Sequence, residues 1–290
     1  MLASAGNAQM IQALFAAGLW GGTDAFAGLS ARRSTPLLAA LWLHLASIAV
    51  IALYLVLRCG WSAVSWRDAT FGMLAGVVAA IGDVLFGQAL SKSSMTVGIP
   101  LANVIAAAIP ATVAIVLGEH MTLLAGIGMT GALLASALAV APSNGRLAVH
   151  GAGYAAIAGF CFGVMYGLLA QVHAAGSLPV IFLMRCAGTV ALLPAAYRAS
   201  SEWTATLVKA GMVTGVLSGF ASVGANWLFV IAMSMGSHVT LSVVAIALSA
   251  PVAMLIVNLC GREQLTFVQG ASAACAVTAI ALLAIPQMMP

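Results

Sequence analysis

Two carboxylates, an imidazole and a guanidinium fall inside long apolar stretches of the chain: Asp24, Asp83, His44 and Arg185. The sharpest case is "IGDVLFGQALSKSS" (81–94), where Asp83 has no basic residue within eight positions on either side. In hydrocarbon, even a lenient insertion scale puts the cost of such a carboxylate at roughly 2.5–3.5 kcal/mol, and intramembrane acids therefore face cavities or relays. The side-chain types suggest what such a cavity would hold. A carboxylate takes an ammonium group or a proton, histidine changes charge near neutral pH, and the planar fork of arginine matches a carboxylate. An acid for an ammonium and a basic group for a carboxylate together suit a zwitterion. The plainer alternatives are hydrogen bonds that glue helices together, worth about 0.6 kcal/mol per contact in membranes, and, for Arg185, a side chain that snorkels to the interface.

The composition says what must surround these residues. Of 290 residues, 63% are hydrophobic and 6% charged, against about 25% charged in a soluble domain. So few charges cannot cover a water-exposed surface of this size, and the chain belongs in a bilayer. Its apolar residues run continuously, without the alternation of a transmembrane barrel. The first 30 residues lack a basic n-region and an A-x-A-like cleavage site, so they read as a retained first span. The net charge of +4 is scattered over loop ends; no basic stripe exists to bind nucleic acid. Cys59, Cys161, Cys186, Cys260 and Cys275 are dispersed, without metal-ligand spacing, and no glycine-rich loop with a lysine is present to cradle a phosphate. No cofactor and no metal is expected. The partners expected are a small-molecule substrate and the lipid bilayer, with the chain working as a monomer.

Charges, Pro/Gly clusters and polar runs break the chain into ten spans: 8–30, 36–58, 69–90, 95–117, 121–141, 151–172, 177–198, 209–234, 238–259 and 266–286. Links such as "SARRSTP" and "SKSSM" are short, so neighbouring spans form antiparallel hairpins. Depth can be counted from each turn at about 1.5 Å per residue. Asp83 and Asn103 then lie level across one hairpin, Asp24 and His44 across another, and Arg185 lies level with Met165 and Tyr166. The spacing predicts one polar layer of Asp83, Asn103 and Asn226, and an Asp24–His44 pair that either relays a proton or is structural. Trp20, Phe26, Phe86, Tyr166, Trp227 and Phe229 accompany these positions, as cavity wall or as core. Trp61, Trp66 and Trp203 fall between spans, as interfacial anchors do.

The chain also repeats itself. "GDVLFGQALSKSS" (82–94) aligns without a gap on "ANWLFVIAMSMGS" (225–237), which pairs Asp83 with Asn226. "GEHMT" (118–122) echoes "REQLT" (262–266), "AGLWGG" (17–22) echoes "AGFCFG" (158–163), and Pro110 and Pro251 hold similar places. Glu119 and Glu263 in these copies suit the start of the following helix. Each copy holds five spans, 1–145 and 146–290. An odd number makes the second copy enter the membrane from the opposite side, the inverted repeat of many secondary transporters, whose site lies between the halves near the midplane.

These residues resemble the EamA repeat: "LW-G" in the first span, the "A-[LM]-S-x-x-S" hairpin, the late-span proline, and "G-E-x-x-T" before the fifth span. Two such units in tandem, over essentially the whole chain, are similar to the ten-helix drug/metabolite transporter superfamily, with YddG-type amino-acid exporters the nearest branch in character. The resemblance implies a cavity enclosed by spans 1, 3, 4, 6, 8 and 9 in a bacterial inner-membrane protein. One departure is Arg262, which stands where the first copy has Gly118. Orientation is indicated both ways. Termini outside would put Arg32, Arg33, Lys92, Arg146, Arg198, Lys209 and Arg262 in the cytoplasm, against Arg58 and Arg67 for the reverse, and the positive-inside rule favours the first. The family pattern implies the second.

The functional expectation is an all-α secondary transporter that exports small amphipathic metabolites, above all amino acids including aromatic ones, by alternating access. Its substrate residues are Trp20, Asp24, His44, Asp83, Asn103, Tyr166, Arg185, Asn226 and Trp227. A cationic-drug exporter of the same superfamily is the alternative. An intramembrane enzyme is remote: "AIGD" (80–83) has Ala80 where the GxGD element of aspartyl proteases has glycine, and no Tyr-Asp pair exists.

Overall fold

A computed structural model of the chain describes residues 2–58, 64–116, 130–131, 149–234 and 239–260. Apart from residues 130–131, the expected spans 121–141 and 266–286, with Glu119 and Glu263, lie outside the described residues. The described chain is all helical, without strands: α1 (Leu2–Arg33), α2 (Pro36–Leu57), α3 (Trp66–Lys92), α4 (Met95–Val116), α5 (Val149–Leu169), α6 (Ser177–Ala199), the short α7 (Ala205–Ala210), α8 (Met212–Ser234) and α9 (Val239–Leu259).

Local chemistry sets several of these boundaries. Thr35 caps α2, its hydroxyl accepting from the Leu38 amide at 3.1 Å, with Pro36 in the first turn where no amide donor is needed. Ser65 caps α3 in the same way, accepting from Asp68 N at 3.0 Å, which starts that helix before the expected residue 69. The span expected at 209–234 is broken at Gly211 into α7 and α8. Thr204 caps the short piece, and the Gly211 carbonyl accepts from Ser30 Oγ at 2.8 Å, so a neighbouring helix serves the break.

Among the described residues, five helical stretches are long and apolar enough to cross a bilayer: Pro36–Leu57, Trp66–Lys92, Gly151–Leu169, Ala174–Glu202 and Met212–Met233. The surface agrees. Phe15, Leu53, Leu74, Phe160, Val190 and Phe220 stand exposed on the outside, whereas His44, Ser47, Asn103, Arg185, Ser222 and Asn226 are buried. That is the reverse of a water-soluble protein and fits a lipid surround.

Helix ends fix the relative directions. Arg32 donates to the carbonyls of Leu90 (2.8 Å) and Ser93 (2.7 Å), so α1 and α3 finish on the same side. At that side Lys92 meets Tyr154 near the start of α5 (3.3 Å). At the other, His173 just beyond α5 pairs with Asp68 at the start of α3 (3.1 Å). α5 therefore runs antiparallel to α3 and to α1. α1 packs on α8 and α9, α5 packs on α3 and α4, and α2 and α6 touch each other, α2 also lying on α8 and α6 on α3.

Close approach depends on glycine at two crossings. A Cβ at Gly76 of α3 would overlap the Met184 backbone of α6, and one at Gly188 of α6 would strike the His44 ring and the Gly76 carbonyl. A Cβ at Gly21 of α1 would lie 2.8 Å from the Ser249 carbonyl of α9. The first crossing brings Arg185 to α2 and α3; the second brings Ser249 to α1. Small residues at helix contacts are the usual means of packing in lipid.

Candidate functional site

The first crossing assembles one polar cluster. His44 Nε2 lies 3.0 Å from Asp83 Oδ2, and His44 Nδ1 lies 3.3 Å from the Arg185 carbonyl. Arg185 Nη1 is 3.9 Å from the same Asp83 oxygen, Nη2 donates to Ser222 Oγ, and Nε has no partner. His44 is fully enclosed and the Arg185 side chain 3% exposed, whereas Asp83 is 15% exposed. Ser222 extends the cluster along α8, accepting from Asn226 Nδ2 at 3.4 Å, and Asn226 Oδ1 accepts from Trp20 Nε1 at 3.3 Å. Helices α1, α2, α3, α6 and α8 thus meet in one network, in which the buried charges are paired as a low-dielectric interior requires.

The second cluster lies one helical turn along α1 from Trp20. Asn103 of α4 donates both its amide hydrogens, to Asp24 Oδ2 at 2.8 Å and to Ser249 Oγ of α9 at 2.9 Å. Ser249 passes its own hydrogen to the Ile246 carbonyl at 2.7 Å. Among the described residues no cation pairs with Asp24.

Trp20, tied to the first cluster through Asn226, belongs to an aromatic group. Trp20, Tyr166 and Phe229 are mutually in contact, with ring centroids 4.9–5.5 Å apart in edge-to-face and tilted arrangements, the geometries aromatic pairs prefer. The rings come from α1, α5 and α8, and all three are buried. Groups of both charge signs beside packed aromatic rings match, in chemistry, a small molecule with separated charges and an apolar side chain.

Most of the residues expected from the sequence come together here, in partly different pairs. Trp20, Asp24, His44, Asp83, Asn103, Tyr166, Arg185 and Asn226 all belong to this region. Asp24 and His44 do not pair with each other: the face of α1 that carries Asp24 points to α4, while His44 points to α3 and α6. Asp83 is bonded to His44 and Arg185, not to the two asparagines, which serve Asp24 and Trp20. Trp227 stands apart. One residue beyond Asn226, it turns outward against Tyr54, with ring centroids 6.5 Å apart, beside a separate groove near the end of α2. Ser222 and Ser249 escaped the sequence reading. Ser222 precedes Asn226 by four positions, which puts both on one helix face, and that spacing was the available signal. Among the described residues no group of His, Cys, Asp and Glu side chains is arranged to hold a metal ion.

No family model matches the chain, and no curated protein matches it. Solved structures do: 29 chains match. One, described only as a crystal structure of a protein, has a TM-score of 0.70 at 18% identity and covers 97% of this chain and 98% of its own. At that identity the likeness shows a shared fold and nothing of what is bound.

Proposed function

We propose that the protein is a secondary transporter of small amphipathic metabolites, foremost zwitterionic amino acids with apolar or aromatic side chains. The observation that carries this reading is the interior site itself, with two carboxylates, an arginine and an aromatic wall enclosed by helices from both ends of the chain. Asp24 is the receptor for the ammonium group, because no cation among the described residues already pairs with it. The buried, unpartnered Nε–H of Arg185 is the receptor for the carboxylate. Trp20, Tyr166 and Phe229 contact the side chain.

We also read the fold as two inverted five-helix repeats, 1–145 and 146–290, of the drug/metabolite transporter kind. The opposite running of α1 and α5 supports this, as does the exchange of packing partners in which α1 lies on α8 and α9 while α5 lies on α3 and α4. Each first helix thus packs on the third and fourth helices of the other half, and alternating access follows from rocking one half on the other. Of the family branches, export from a bacterial cell is the direction we assign, driven by the gradient of the substrate itself.

Uptake and counterflow by sealed proteoliposomes, with labelled phenylalanine and leucine, test the reading. Saturable exchange in which apolar and aromatic amino acids compete with one another is expected. Competition by phosphorylated compounds alone, or by organic cations alone, would overturn it.

A further inference from the structure

The surroundings of His44 constrain a proton. Both ring nitrogens face oxygen: Nε2 the carboxylate of Asp83 at 3.0 Å, Nδ1 the carbonyl of Arg185 at 3.3 Å. A neutral imidazole has one N–H and one lone pair. With hydrogen on Nδ1 only, the Nε2 lone pair would confront a carboxylate oxygen. With hydrogen on Nε2 only, the Nδ1 lone pair would confront the carbonyl. Both contacts are satisfied when a second hydrogen is present, either on the ring as imidazolium or between Nε2 and Oδ2 on a protonated Asp83. No water can supply the missing donor, because His44 is fully enclosed.

We infer that the His44–Asp83 pair holds a dissociable proton and that this proton binds together with the carboxylate of the transported zwitterion. The inference rests on the substrate site proposed above. With the proton in place the pair is neutral and Arg185 gives its cluster one net positive charge. Without it, the Asp83 charge cancels that of Arg185. The unpartnered Nε–H of Arg185 therefore attracts a carboxylate more strongly when the pair is protonated, and by reciprocity a bound carboxylate strengthens the hold on the proton. The other ionisable groups facing the pair from the packed helices are Asp24 on α1, Cys161 and Tyr166 on α5, and Cys186 beside Arg185 on α6. The described parts of α4, α8 and α9 contribute none. Asp24 carries the opposite charge and would couple to the ammonium end, so the two ends of a substrate can be tested separately.

The test measures inhibition of labelled phenylalanine counterflow between pH 6 and 8.5, with L-phenylalanine and with phenethylamine, which lacks the carboxylate. Relative to phenethylamine, apparent affinity for phenylalanine should weaken with rising pH, by up to about tenfold per pH unit for one linked proton. Phenethylamine reports whatever pH dependence the Asp24 end contributes to both compounds. In His44→Gln, and separately in Asp83→Asn, the slope for phenylalanine should fall to that for phenethylamine whatever exchange rate each variant keeps. Equal slopes for both compounds in the wild type would overturn the proton linkage while leaving the carrier reading intact. A wild type without saturable counterflow would overturn both.

Discussion

Asp24 and Asp83 are the same side chain, both part-way exposed inside a helical membrane protein, and their neighbours make them different instruments. Asp83 lies within reach of His44 and Arg185, and through Arg185 it is tied to Ser222. Asp24 accepts one amide hydrogen from Asn103. The first carboxylate has its partners within a network that joins α2, α3 and α6. The second is a negative charge with a neutral donor and no counter-ion among the described residues. A charge that is already balanced can hold helices together, whereas an unbalanced one in a low-dielectric site needs a partner from outside. The role of an acid in such a protein follows from the cations around it more than from its depth.

The largest consequence falls on the balanced cluster. Arg185→Met should take one of its two partners from Asp83, leaving it His44 alone, and lower stability by up to about 3–5 kcal/mol, the cost of removing one partner from a buried pair. Combining it with Asp83→Asn should recover most of that loss. Thermal unfolding in detergent measures both, and an unrecovered double variant would mean that Arg185 acts through packing instead. Asp24→Asn should behave in the opposite way. It removes no counter-ion's partner, so unfolding should shift little, while apparent affinity for a zwitterion falls by at least about tenfold, a single lost charge-assisted hydrogen bond of about 1.5–3 kcal/mol. A smaller effect is expected one step out. Ser249→Ala takes one acceptor from Asn103 and should cost about 0.6 kcal/mol, as membrane hydrogen bonds do on average. Smallest of all, Trp227→Ala should leave phenylalanine affinity within about twofold, because that ring faces the outer groove, not the aromatic wall; a loss as large as that of Trp20→Ala, read in the same counterflow assay, would return Trp227 to the site.

Much of this was legible in the sequence because lipid imposes simple rules. A chain with 6% charged residues has to hide its few polar groups together, and so Asp24, His44, Asp83, Asn103, Arg185 and Asn226 could be gathered before any coordinates. Depth counted from hairpin turns placed Asp83 level with Asn103, Asp24 with His44 and Arg185 with Tyr166, and the repeat matched Asn226 to Asp83. What depth cannot supply is azimuth, the direction each residue faces around its helix. That is why His44 was matched with Asp24, its neighbour across the hairpin, when its ring turns instead toward α3 and α6. Azimuth is set by packing, and here by glycines at helix crossings: without Gly76 and Gly188, α6 could not bring the Arg185 carbonyl to the His44 ring. The same limitation explains Trp227, whose neighbour Asn226 faces inward while it faces out. Ser222 and Ser249 were overlooked because a serine in an apolar helix usually bonds its own backbone, and only the approach of Arg185 and Asn103 gives these two a further partner.

The decisive experiment compares three competitors of labelled phenylalanine counterflow, in the wild type and in Asp24→Asn. They are L-phenylalanine, phenethylamine and hydrocinnamate, which carry both charges, the ammonium alone and the carboxylate alone. If Asp24 receives the ammonium and the Arg185 cluster the carboxylate, L-phenylalanine should be by far the strongest competitor in the wild type. Asp24→Asn should then bring its affinity down to that of hydrocinnamate and leave hydrocinnamate unchanged. Phenethylamine competing as well as L-phenylalanine in the wild type, or an Asp24→Asn variant that still prefers L-phenylalanine to hydrocinnamate, would contradict the assignment of the two ends of the site.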